Sequence, residues 1–285
     1  MLEIGHKVTI VDNFSTGKRE NIPTDCGFID LDMTKVGFSK FFPNDITHVF
    51  HLAAQSSGEI SFEDPRYDLE TNVYSTLELL KWSKKTSVEK FVFTSSMSVY
   101  GEVPDEPITE ERVISPKSFY AVGKAASEYY IRIFAELGLN AVILRLFNVY
   151  GPGQDIENLK QGMLSIFLGY LLKDEDLVVK GSLDRFRDFV FIDDCIDAIV
   201  KASELEDLEG TFNICSGSKT TVGEAINCIL KELGKENHTV VIEQGTPGDQ
   251  FGIFGNPSKA TRELGWKSST SFSEGVSKLL DSIDK

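Results

Sequence analysis

Residues 90–96 read KFVFTSS, an aromatic and β-branched run that turns small and polar at its carboxyl end, and residues 119–124 read FYAVGK. A short apolar run of this form, followed by a helix, is the repeating unit of a parallel sheet covered by helices on both faces. Three more runs share it: KVTIVD (7–12), THVFHLAA (47–54) and NAVILRLFNVYG (140–151). Residues 69–85 and 119–137 carry apolar side chains at three- and four-residue spacings and are predicted helices. The expected class is α/β, with a doubly wound parallel sheet whose ligands gather at the carboxyl ends of the strands.

After Gly151 the pattern loosens. It predicts a helix near 161–172, strands at DLVVKG and DFVFI, a helix over 194–205, the strand TFNICSG and a helix near 222–233. No Gly- or Ser-rich tether separates these from the first half, so a smaller α/β lobe packed on the sheet is expected. The division expected is 1–150, rejoined by about 184–207, and 151–285.

A doubly wound nucleotide-binding sheet opens with a strand, a Gly-rich turn and a helix that seats a pyrophosphate. This chain starts MLEIGHKVTIVD, which reads as the close of that helix running into the second strand. The sheet is therefore expected to lack its first strand, and the native product to start some twenty residues earlier.

The 285 residues are 41% hydrophobic, 26% charged and 11% aromatic, enough for a large core without staples. Lys and Arg number 29 against 44 Asp and Glu, a formal charge of −15, which excludes nucleic acid and anionic membrane as bulk partners. Cys26, Cys195, Cys215 and Cys228 form no CxxC pair and the four histidines show no metal spacing, so no metal is expected. Free thiols and the lack of a leader or spanning segment point to the cytoplasm.

Three positions carry chemistry. Asp12 closes KVTIVD, where a carboxylate suits the ribose hydroxyls of NAD and repels the 2′-phosphate of NADP; a turn-forming Asp before Asn13 is the even alternative. Tyr120 and Lys124, four apart on a helix, emerge on one face, which sets an ammonium beside a phenol. A tyrosine with pKa ~10 is a poor base, and lowering it by roughly three units is worth about 4 kcal/mol. On the pair alone an amphipathic rim is the favoured reading, by roughly three to one. Ser96, a hydroxyl at the end of KFVFTSS, completes a set able to draw a proton from an alcohol while a neighbouring cofactor takes a hydride.

Together VDNFSTGKREN, HLAAQSS, KFVFTSSMSVYG, SFYAVGKAASE, LRLFNVYGPGQ, RDFVFIDD, PGDQFG and SKATRELGW resemble the extended short-chain dehydrogenase/reductase family in the right order over nearly the whole chain. The branch resembled is the NAD-dependent nucleotide-sugar epimerases and dehydratases, nearest to its UDP-glucose 4-epimerase members, with a Rossmann-like fold. The resemblance implies that Asp12 and Asn13 hold the adenosine ribose and that Asp32 and Met33 border the adenine. It implies that Leu52, Ala53 and Ala54 line the ribose and pyrophosphate side of NAD, with Asn72 under the same loop and Phe147 near the nicotinamide. Tyr120 would be the base, Lys124 would bind the nicotinamide ribose, and Ser96 would bond the reacting hydroxyl. Asn148 and Arg187 would meet the substrate's diphosphate and Asp249 its nucleotide ribose, although an ion pair of Arg187 with Asp188 or Asp194 is a competing role. A homodimer through 69–85 and 119–137 is also implied.

Several residues depart from the family pattern. The Gly-rich turn is not in the chain, Thr246 replaces the Arg common before PGD, GSLDRFRDF replaces a Gly-Asp-Gly lead, and Gly123 replaces the Ser of YxxSK. Met97 and Ser98 stand where dehydratases carry an Asp-Glu pair and decarboxylases a Glu. Neither can exchange a proton near neutrality, which favours epimerisation at carbon 4 of a UDP-glucose or UDP-galactose type substrate through a 4-keto sugar. A dehydratase, decarboxylase or reductase, or a noncatalytic or truncated nucleotide-binding member, are the alternatives.

Overall fold

The computed structural model describes residues 1–86, 88–245, 248 and 250–283. Strands β1 (Thr9–Asp12) and β2 (Gly27–Asp30) form a parallel pair. Strands β3 (His48–His51), β4 (Lys90–Ser96), β5 (Ala141–Leu146) and β10 (Gly210–Ile214) form a parallel sheet in the order β10-β5-β4-β3. No ladder joins the two sheets among the described residues. The sheet is doubly covered and parallel, as expected, and β1 and β3 each have a strand partner on one side only.

Successive side chains of each strand point to opposite faces, and in β4 and β5 both faces are buried. Phe91, Phe93, Ala141 and Ile143 pack with Leu79, Leu80 and Ile131, on the face covered by α3 (Ser75–Lys85) and α4 (Phe119–Glu136). Val92, Val142, Leu144, Phe212 and Ile214 pack on the other face with Ala198 and Ala202 of α6 (Ile192–Glu204). With both faces covered, the middles of the central strands are mostly apolar on both faces, which is why they read as continuous runs rather than alternating ones.

The predicted helix over 69–85 starts earlier and is built in three parts. Helix α1 (Gly58–Glu63) precedes α2 (Pro65–Leu69), a π-helical turn at Glu70–Tyr74 follows, and α3 continues the line. Pro65 opens α2 at its first turn, where a missing N–H costs nothing, and Asp64 caps it by accepting from Tyr67 N. The predicted strand over 140–151 divides at Phe147 into β5 and β6 (Asn148–Tyr150), and β6 pairs with β9 (Phe189–Phe191).

A second core lies beyond this point. Leu164, Phe167, Leu168 and Leu171 of α5 (Met163–Leu172) meet Leu177 and Val179 of β7 (Leu177–Lys180), Ile226 and Ile229 of α7 (Val222–Glu232), and Val276 and Leu279 of α8 (Phe272–Ile283). Strand β9 serves both cores, since Phe189 and Phe191 turn to this one while Val190 turns to the sheet. Short pairs, β8 (Phe186–Arg187) with β11 (Thr220–Thr221) and β7 with β12 (Val240–Glu243), finish the lobe. No helix among the described residues is long and apolar enough to cross a membrane.

Candidate active site

Because β3, β4 and β5 are parallel, Leu52, Ser96 and Phe147 all follow carboxyl ends on one edge of the sheet. Tyr120 and Lys124 reach that edge from the first turns of α4, whose start is fixed by Ser118 accepting from Ala121 N at 3.2 Å. The predicted trio is brought together. The Ser96 hydroxyl lies close enough to the Tyr120 phenol to favour its ionised form. Lys124 Nζ sits 6.0 Å from the Tyr120 ring centroid and 4.8 Å from that of Phe93, and donates to the Thr94 carbonyl at 2.9 Å.

Burial sets the resting charges. It pushes the Tyr120 phenol up to about 12 against the pull of Ser96, and a nearby carboxylate, Asp68, pushes the same way. Burial takes the Lys124 ammonium down to about 8, while Asp68 and Glu128 work to keep it charged. Ser98 donates to Ser96 Oγ from its hydroxyl at 2.9 Å and its amide at 3.2 Å, which leaves the Ser96 proton free to point at a phenolate or a substrate oxygen. Met97 packs against the core, so no acid stands beside Ser96 in either following position.

Of the expected cofactor residues, Asp12 and Asn13, Asp32 and Met33, and Leu52, Ala53 and Ala54 lie at or just after the ends of β1, β2 and β3. Asp12 Oδ1 accepts from Phe14 N at 2.7 Å, and Gly17 packs on the carboxylate, where a Cβ would stand 3.2 Å from Oδ2. Asn13 caps Ser15 N at 3.0 Å. Asp32 takes the Thr34 amide and hydroxyl and an ion pair to Lys35, and Met33 packs under the sheet. Leu52 is 54% exposed at a strand end and Ala53 is exposed with it, surface that a ligand can cover. Asn72 is buried under the loop that follows β3: it accepts from Gln55 N at 3.1 Å and donates to Gln55 O at 2.9 Å. Phe147 is buried with its ring tip against Gly255, on the core side of the strand end.

On the second lobe, Asn148 Oδ1 is buried without a hydrogen-bond donor, an orphan acceptor beside the strand ends. Arg187 is buried and donates to the carbonyls of Phe186 at 2.8 Å, Gln250 at 2.9 Å and Phe251 at 3.3 Å. It makes no ion pair with Asp188 or Asp194. Asp188 is taken by Ser216, Gly217 and Gly255, and Asp194 by Ser268, Ser269 and Thr270. Asp249 lies outside the described residues, as does Thr246.

Two groups at the site escaped the sequence reading. Asp68 is buried behind α4, accepting from Gln55 Nε2 at 2.7 Å and Asn72 Nδ2 at 3.1 Å. Glu128 is buried one turn beyond Lys124 and accepts from Ser95, Arg132 and both Nε and Nη2 of Arg145. The signal available was spacing: Asp68 and Asn72 are i and i+4, and Lys124 and Glu128 are i and i+4, each a polar pair on a face meant for burial.

The family model described as GDP-mannose 4,6 dehydratase matches residues 1–279. A putative UDP-glucose 4-epimerase of Methanocaldococcus jannaschii is 32% identical over 284 residues, which span 99% of this chain and 92% of that one. The crystal structure of a UDP-glucose 4-epimerase from Thermotoga maritima with UDP-glucose aligns with TM-score 0.91 at 34% identity, covering 99% of this chain and 92% of that one. A Thermus thermophilus UDP-glucose 4-epimerase in complex with NAD aligns with TM-score 0.90 at 34% identity, covering 99% and 93%. With the parallel sheet and the Ser96, Tyr120 and Lys124 edge in place, the chain belongs to the GDP-mannose 4,6 dehydratase family, the nucleotide-sugar epimerase and dehydratase branch of the extended short-chain dehydrogenases.

Proposed function

We propose that the chain is an NAD-dependent epimerase that inverts carbon 4 of a UDP-linked hexose through a transient 4-keto sugar. The observation that carries this is Ser96, Tyr120 and Lys124 on one edge with Met97 and Ser98 beside them instead of an acidic pair. The donor set fits NAD: Asp12 offers a carboxylate oxygen beside a side-chain-free Gly17, Leu52 and Ala53 offer open apolar surface, and Lys124 supplies a cation. Asp12, Asn13, Asp32, Met33, Leu52, Ala53, Ala54, Asn72 and Phe147 would border it, in a cofactor unit of 1–150 rejoined by about 184–207.

When bound, NAD takes a hydride from the sugar and gives it back. The chain's own groups handle the proton. Tyr120 draws it from the 4-hydroxyl and later returns it, and a phenolate is favoured there by Ser96 and the Lys124 ammonium. Ser96 holds the reacting oxygen in line with the phenol. Turning the keto sugar about its link to the diphosphate presents its other face, so the returned hydride inverts the centre. Asn148, Arg187 and Asp249, in the 151–285 lobe, would hold the UDP portion; the orphan Asn148 Oδ1 supports a donor from the ligand at that point.

The four cysteines are free thiols, which suits the cytoplasm. A homodimer is supported by an apolar stripe along α4 and its capping residue, where Val122, Tyr129, Ile133 and Leu137 are each more than half exposed at helical spacing, beside exposed Leu69.

Incubation of NAD-loaded protein with UDP-glucose or UDP-galactose, followed by mass spectrometry and proton NMR, tests the reaction. A product of unchanged mass, inverted at carbon 4 with no external NADH consumed, is expected. A product lighter by one water would make the chain a dehydratase, and one lighter by carbon dioxide from a UDP-uronic acid would make it a decarboxylase.

A further inference from the structure

Asp68 is 1% exposed on α2, and no Lys or Arg among the described residues comes within ion-pair distance of it. Burial without a direct counterion pushes the Asp68 carboxyl up, and the Gln55 and Asn72 amides and the more distant Lys124 charge work against that to favour its ionised form. Both amide donors, Gln55 Nε2 and Asn72 Nδ2, bond the same oxygen, Oδ2. The other oxygen faces α4 at Gly123, the residue before Lys124, where a Cβ would lie 3.1 Å from Oδ1 and 3.2 Å from Asn72 Cβ. Glycine at 123 thus lets the carboxylate sit directly behind the helix that carries Tyr120 and Lys124.

We infer that Asp68 is a positioning residue: an unpaired negative charge that acts across Gly123 on the ionisation of Tyr120 and Lys124. This rests on Tyr120 being the base. Asp68 acts on Tyr120 and Lys124 of α4 and accepts from the amides of Gln55 and Asn72, while Lys124 also interacts with Glu128 one turn further on and with neutral His51 at the end of β3. A negative charge makes both the phenol and the ammonium hold their protons to higher pH. It keeps the buried lysine cationic while restraining the phenolate until cofactor and substrate arrive. Asn72 links the same carboxylate to the loop after β3, so charge and loop shape share one anchor.

The test is the pH profile of Asp68→Asn, a near-isosteric change that removes the charge, with Asp68→Ser made alongside so that misfolding of one leaves the other to read. Both limbs of the kcat/KM profile of the NAD-loaded protein should move to lower pH by about half a unit or more. Independently of turnover, tyrosinate absorbance of the cofactor-free chain, taken as a difference against Tyr120→Phe, should appear at lower pH in the Asp68 variants. Lowered kcat with unmoved limbs, or limbs moved upward, would reduce Asp68 to a packing role. Should Tyr120→Phe keep normal turnover, the base itself is misassigned; should it be inactive while the Asp68 variants shift nothing, only the inference about Asp68 fails.

Discussion

Lys124 holds its ammonium 2.9 Å from the Thr94 carbonyl, two residues before Ser96 on β4. One hydrogen bond thereby ties α4 to the strand whose end carries the serine. The phenol and hydroxyl are held in register by a group that also supplies charge.

Tyr120→Phe should cut turnover by about 10³-fold or more, since it removes the proton acceptor and keeps the ring. NAD content after purification should be unchanged. Lys124→Ala should lower both, because it removes the tie to Thr94 as well as the cation. Coupled turnover assays and the cofactor released on denaturation give the two readouts.

Asp12→Ala should weaken NAD binding by about tenfold, the worth of one or two hydrogen bonds to a charged group, and should narrow the preference over NADP. Calorimetry with both nucleotides measures each part. An unchanged ratio would leave Asp12 as a turn residue serving the Phe14 amide alone.

The sheet and its ligand edge were legible because buried parallel strands are mostly apolar on both faces and KFVFTSS ends in small polar residues. Strand β2 was missed: GFID is short, exposed at both ends and closes in an acid, so nothing separates it from a loop. Phe147 sits in NAVILRLFNVYG with no Gly or Pro to mark a break before Gly151, and tertiary pairing of β6 with β9 divides the run. The π-turn at Glu70–Tyr74 shifts helical phase without any sequence mark. Glu128 stayed hidden because a charged residue on a predicted helix reads as solvent-facing until its partner Arg145 is brought from a distant position by the fold, and Asp68 because it lies just before the predicted helix 69–85, where nothing local brings Gln55 to it.

The α4 stripe makes an assembly prediction. Ile133→Glu places a charge in the middle of the apolar face without touching the core, so light scattering should report a monomer where the unaltered chain is a dimer. Circular dichroism should stay the same. A dimer that survives this change would place the interface elsewhere.

Glu128 tests the network behind the site. It accepts two hydrogen bonds from Arg145, whose Nη1 donates to the Tyr100 hydroxyl at 2.8 Å, and that hydroxyl donates to Asn213 Oδ1 at 2.7 Å. Glu128→Ala leaves Arg145 buried and unpaired, so stability should fall by about 3–5 kcal/mol in urea unfolding. Tyr120→Phe, by contrast, should unfold near the unaltered midpoint.

His51 makes stability depend on pH in a defined window. Its ring is 2% exposed, contacts Thr76 Oγ1 at 2.8 Å and stacks obliquely on Phe93, with ring centroids 5.4 Å apart. Burial, helped by the Lys124 charge, takes it from 6.5 to about 3. Between these values the unfolded chain binds a proton that the folded chain does not, so stability is complete above pH 6.5 and is lost as pH falls toward 3. The loss over that window should amount to a few kcal/mol, at about 1.4 per unit of displacement. His51→Gln keeps a hydrogen-bonding group for Thr76 and removes the titration. Urea midpoints measured from pH 7 to pH 4 should therefore fall less steeply for His51→Gln than for the unaltered chain, even if the variant starts lower at pH 7. Parallel slopes would mean that His51 accepts its proton in the folded state despite its burial.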